Sequence, residues 1–172
     1  MLHQVAEEVA VVDPQVVEVA PGLPPKQSIE LKLIEDLERR MLEEPQLDIP
    51  PDHFFAPDVY LRQVTMPSGS LIVGHEHKTE HFNFVLSGRA TIFVGGKSQE
   101  VVGPCIFKSA ANTRKVGYIH ETMTFVTVHS TQETNIEKLE DELFIKSSSF
   151  KQYELNTAKA KELMDSQNGG GK

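Results

Sequence analysis

The stretch GSLIVGHEHKTEHFNFVLSG, residues 69–88, decides the fold. Three imidazoles fall within seven residues, His75, His77 and His81, and a glycine stands at either end, Gly69 and Gly88. Alternate residues of a strand share a face, so His75 and His77 project the same way. A turn through Lys78-Thr79-Glu80 would bring His81 onto the next strand beside them. Three such imidazoles suit Zn, Fe, Ni or Cu, and Mn with help from a carboxylate.

Around this stretch, residues 58–130 break into short segments rich in Val, Ile, Phe, Tyr and Thr. Val59–Met66, Ser70–His77, His81–Leu86, Ala90–Val94, Gln99–Val102, Cys105–Ser109, Arg114–His120 and Met123–His129 each read as strands. Pro67-Ser68-Gly69, Ser87-Gly88, Gly95-Gly96-Lys97 and Gly103-Pro104 punctuate them. With no helix between them, about eight short strands predict a small antiparallel sandwich or barrel.

The spacing G-x5-H-x-H-x3-H-x6-G resembles the first signature of the cupin superfamily, in which a glutamate takes the place of His81. The resemblance covers residues 58–130 and implies a mainly β fold, one double-stranded β-helix or jelly-roll barrel. It also implies a metal site on His75, His77 and His81 inside that barrel, with Glu80 facing the other way. The metal would be one divalent ion: Zn, Fe, Ni or Mn. The second cupin signature, begun at Gly103, places Ser109 at its proline, Ala111 at its glycine and Arg114 at its ligand histidine. A guanidinium only donates and never ligates a cation, so Arg114 is expected to bind an anionic group instead. His129 would supply a further ligand if its strand faced the interior. His120 and His129 otherwise read as ordinary strand residues.

The flanks differ from the barrel in charge. The chain of 172 residues has a net charge of −8, all of it equivalent to the excess in residues 1–57, which hold 12 acidic and 4 basic side chains. Residues 1–27, valine-rich and cut by Pro14, Pro21, Pro24 and Pro25, predict an extended or disordered arm. Leu33, Ile34, Leu37 and Met41 predict a helix from Ser28 to Glu44, stopped by Pro45, and the prolines at 50, 51 and 57 predict a linker. The tail, 131–172, opens on a capping box at Thr134 and Glu137, with an acidic helix carrying Leu139 and Leu143. A second amphipathic stretch over Phe150–Met164 and a disordered glycine-rich end follow.

Composition removes several function classes. The acidic balance argues against a general nucleic-acid binder. No apolar run is long enough to span a bilayer, and the first residues do not read as a secretory signal. A single cysteine, Cys105, excludes an internal disulfide and fits a reducing, cytoplasmic setting. Gly95-Gly96-Lys97 joins two strands and leads into no helix, so it is not a phosphate loop.

The expected function is a non-enzymatic cupin-type binding or assembly module. It would form a homo-oligomer through arm and barrel, with a structural protein as a further possible partner. The layout of arms around one barrel resembles cupin-like proteins of tailed phages, which implies a virion or accessory role. The alternative is a metal-dependent oxygenase or isomerase built on the histidines, with Arg114 holding a substrate carboxylate or phosphate.

Overall fold

A computed structural model describes residues 17–18 and 24–168. The elements in chain order are β1 (Val17–Glu18), α1 (Pro24–Met41), β2 (Asp52–Ala56), β3 (Val59–Met66), β4 (Leu71–Val73), β5 (Glu76–His77) and β6 (His81–Val94). β7 (Lys97–Val102), β8 (Cys105–Ser109), β9 (Val116–Ser130), α2 (Ile136–Leu143), β10 (Phe144–Ile145) and α3 (Ser148–Asn168) complete it.

Two long strands, β6 and β9, organise everything else. They run antiparallel to each other along nearly their whole length, and each takes part in two sheets. The first half of β6 lies between β8 and the second half of β9, which pairs onward with β3 and β2. The second half of β6 lies between β7 and the first half of β9, which pairs onward with β4. Register shifts between Val85 and Ala90 mark the crossing from one sheet to the other. Such irregularities bend a strand and raise its twist. Two sheets that share bent strands make a jelly-roll barrel.

The bend explains where the expected strands differ from the observed ones. Ser87-Gly88 reads as a turn between two strands, because glycine punctuates strands. Here the chain bends at Gly88, with φ +91°, without reversing. Arg114–His120 and Met123–His129 merge into β9 in the same way. The Pro50–Pro57 linker contains an edge strand, β2, paired with β3 and flanked by prolines that lie outside it.

The core sits between the sheets. Val64, Met66, Val85, Ala90, Ile92, Val94, Val101, Phe107, Ile119 and Met123 form one buried cluster, with Cys105 packed at its edge as a small apolar filler. A satellite cluster of Tyr60, Leu139 and Leu143 packs α2 against β3. The cap of α2 is Asn135, whose side chain accepts from the Lys138 N–H, one residue later than the capping box at Thr134 predicts. Glu133 accepts from the N–H groups of Thr134 and Asn135, which takes Thr134 out of the capping role.

Helix α1 starts earlier than expected and ends at Met41. Its inward face carries Ile34 and, against the amphipathic reading, the carboxylate of Glu38, while Leu33 is exposed. Of the expected arm, only Val17–Glu18 and the first turn of α1 fall within the described residues. Val17–Glu18 pairs in parallel with Phe107–Lys108 on the edge of β8. The remainder of the arm and the glycine-rich end lie outside them. Among the described residues, no helix is long and apolar enough to cross a membrane.

Candidate metal centre

Strand register assembles the histidines. Phe82 pairs with Val128 across β6 and β9, so His81 and His129 occupy the next position on neighbouring strands and share the inner face. His77, on β5, is held from two sides. It pairs with Phe144 of β10 and forms an isolated bridge to Thr113. The three rings stack, with centroids 3.9 Å apart for His77–His81, 5.0 Å for His81–His129 and 5.3 Å for His77–His129. One ligand nitrogen from each ring lies within 4.8 Å of the others.

The sequence trio is therefore only partly the spatial one. His77 and His81 come together, and their third member is His129. His75 stands outside the group, its ring edge-on to Phe150 at 4.6 Å and tilted against Phe144. The reason is that the expected strand Ser70–His77 is interrupted after Val73, so the two-residue alternation does not carry through to His77. The signal that would have found His129 is the pairing of β6 with β9, and that pairing is not local. Glu80 faces away, on an exposed pair with Lys108.

Arg114, expected at an anion site, has other partners. Its guanidinium is buried, paired with Glu38 of α1, and its Nε donates to the Gly74 carbonyl at 2.9 Å. Glu38 also accepts from the Ser147 hydroxyl. The N-terminal helix, the barrel and the start of α3 thus meet at one carboxylate. His120 is a strand residue bonded to Thr91, as the ordinary reading expects.

The donor chemistry fits a metal ion. His81 Nδ1 lies 3.0 Å from the Thr79 carbonyl, which only accepts, so Nδ1 carries the hydrogen and Nε2 keeps its lone pair. That arrangement is the usual one behind a metal-ligating imidazole. His81 Nε2, both ring nitrogens of His129 and His77 Nδ1 are buried without a hydrogen-bond partner. Unpaired buried polar atoms are costly, and an ion would satisfy them. Burial also keeps the rings neutral, as ligation requires. Desolvation, with Lys115 nearby, brings His81 down to about 4, and desolvation with His81 nearby brings His129 down to about 3. Desolvation and the His81 charge push His77 down further still.

A pH dependence follows for the metal-free protein. Unfolded histidines titrate near 6.5. Above that pH both states are neutral and nothing changes. As pH falls from 6.5 towards 4 and 3, the unfolded chain binds protons that the folded one refuses, so stability drops. Urea midpoints of chelator-treated protein are expected to hold between pH 8 and 7 and to fall by pH 5. A midpoint unchanged at pH 5 would contradict the buried neutral cluster.

Beside the trio is a cavity of about 180 Å³ inside the barrel. Val64, Met66, Ile72, Ile92, Ile119 and Met123 line its apolar part. His75, His77, Arg62, Lys115, Thr127 and Glu140 line its polar part, and Phe144 lies on the wall beside them. His77 belongs to both the cavity wall and the histidine cluster.

No protein-family model matches this chain, and no curated protein matches it. Solved structures do. The chain is similar to KdgF from Halomonas sp., at 13% identity over 53% of this chain and 90% of that one, with a TM-score of 0.43. It is similar to the EutQ protein of Clostridium difficile, at 12% identity over 54% and 80%, TM-score 0.43. A cupin superfamily protein from Desulfitobacterium hafniense aligns at 9% identity over 55% and 87%, TM-score 0.43.

Proposed function

We propose that this chain is a ligand-binding cupin-type module that holds one divalent transition metal on His77, His81 and His129 at the wall of its internal cavity. The observation that carries this reading is the convergence of three rings, one nitrogen from each within 4.8 Å of the others, with at least one buried nitrogen of every ring lacking a hydrogen-bond partner. Three neutral nitrogen donors suit Zn, Fe or Ni, and leave a position open for a further ligand. Asn83, two residues beyond His81 on β6, donates its amide to Ser109 Oγ at 2.9 Å.

Metal analysis of protein purified without an affinity tag tests the proposal. The expected content is about one ion per chain. It is expected to fall to background in His77→Ala/His129→Ala and to persist in His75→Ala, whose ring packs on Phe150. Failure of the wild-type protein to take up Zn, Fe or Ni in direct titration, or equal uptake by the double variant, would overturn it.

One observation favours a catalytic version, of the oxygenase or isomerase class. His77 lines the cavity as well as the cluster, so a molecule in the cavity would lie beside the ion. When bound, the ion would supply Lewis-acid or oxygen-activating chemistry. The chain's own residues would orient the molecule, with Phe144 and Glu140 of α2 among those lining the cavity. The assembly role expected of the arm rests mainly on residues outside those described.

A further inference from the structure

We infer that the cavity binds a small organic carboxylate, with its charged end between Lys115 and Arg62 and its apolar body on the floor formed by Val64, Ile92, Ile119 and Met123. This inference rests on the ligand-binding reading above and names the substrate class for that same cavity.

Charge inside the barrel is the starting point. Lys115 and Arg62 both line the cavity, one from the approach to β9 and one from β3. Among the described residues, neither lies within 4.0 Å of a carboxylate. The Arg62 guanidinium lies over the Phe144 ring at 5.9 Å, which offers a weak partner and no neutralising charge. Glu140 is the one acidic side chain on the wall; its carboxylate is bonded at 2.9 Å to Lys146, which Glu154 shares, and it also attracts Arg62 from a distance. The wall therefore carries one cation, Lys115, with no carboxylate acting on it, and a second, Arg62, that Glu140 offsets only in part from beyond ion-pair distance. A buried charge without a partner is expensive, and the inexpensive remedy is a mobile counter-ion.

The metal reading strengthens the argument. A divalent ion on the histidines would add two positive charges to a wall that is already positive. An anionic ligand offsets both the ion and the fixed cations. Burial lowers the Lys115 ammonium to about 8, which still leaves it mostly charged at neutral pH, as an anion site requires.

The rest of the wall sets the other end of the ligand. Seven aliphatic or thioether side chains line it, and apolar surface is matched by apolar surface. Inorganic phosphate would leave that floor uncovered. A neutral molecule would leave the cations unpaired. At about 180 Å³ the cavity is smaller than drug-sized sites, which restricts the ligand to a few carbons beyond its carboxylate. The anion expected at Arg114 from sequence thus moves one residue along the chain, to Lys115, because Glu38 occupies Arg114.

Isothermal titration with hexanoate, hexanol and inorganic phosphate tests this, using both metal-loaded and chelator-treated full-length chain. Hexanoate is expected to bind, with hexanol and phosphate each at least about tenfold weaker. Lys115→Met removes a buried charge at similar volume, and it is expected to weaken hexanoate about ten- to a hundredfold while metal content stays unchanged. Arg62→Met serves as the second variant. Equal binding of hexanol and hexanoate, or full hexanoate affinity in both variants, would overturn the inference. Failure of metal uptake with hexanoate binding intact would overturn the metal centre alone.

Discussion

Gly88→Ala is expected to be the most damaging single substitution in the barrel, costing on the order of 4 kcal/mol of unfolding free energy. Two independent penalties combine. Gly88 has φ +91°, outside the range open to side chains with a Cβ. A Cβ placed there would also lie 2.6 Å from the Met123 Cα, and closer still to the Thr122 carbonyl oxygen. Both neighbours are backbone of β9, so neither moves aside without disturbing the sheet-to-sheet crossing. Asparagine, which tolerates positive φ elsewhere, is expected not to rescue the site. Gly69, the other glycine of the motif, has φ +81° but open space around it. Gly69→Ala is expected to cost only about 1–2 kcal/mol. Urea denaturation of the three variants measures the contrast. Equal costs at the two positions would mean that β6 does not pass against β9 at Gly88.

Glu38→Ala is the second large effect. It leaves the Arg114 guanidinium buried and facing an empty place, and removing one partner of a buried ion pair costs about 3–5 kcal/mol. Arg114→Met, which strands the Glu38 carboxylate, is expected to cost about the same. Replacing both, as Glu38→Leu/Arg114→Met, is expected to recover much of the loss, since a matched apolar pair needs no desolvated charge. Ser147→Ala removes one hydrogen bond to Glu38 and is expected to cost about 1–3 kcal/mol, because the acceptor is charged. Chemical denaturation of the set reads the coupling directly. Single variants that each lose less than about 1 kcal/mol would show that the pair is solvated and does not tie α1 to the barrel.

The same pair shows why the site was only half visible beforehand. Arg114 was legible as a cation at a position where a cupin-type motif carries a ligand. Its partner lies 76 residues earlier, on a helix whose acidic residues all read as solvated surface. The helical period does set Glu38, four residues after Ile34 and three before Met41, nearer the apolar face than Glu35 or Asp36, but it does not say that a carboxylate is buried there. Packing against the barrel decides that.

Local spacing determined a good deal without coordinates. The short segments rich in Val, Ile, Phe, Tyr and Thr and the glycines and prolines between them predicted an antiparallel sandwich or barrel, because strand preference and turn formation act over a few residues. Val59–Met66 and Cys105–Ser109 were legible residue for residue, and so was the concentration of histidines near one strand junction. Only the tertiary structure decided that β6 and β9 are each single bent strands, that His129 replaces His75 in the cluster, and that Lys115 and Arg62 face one cavity. Those relations join residues tens of positions apart through strand pairing, and pairing partners leave no mark in the local pattern of either strand.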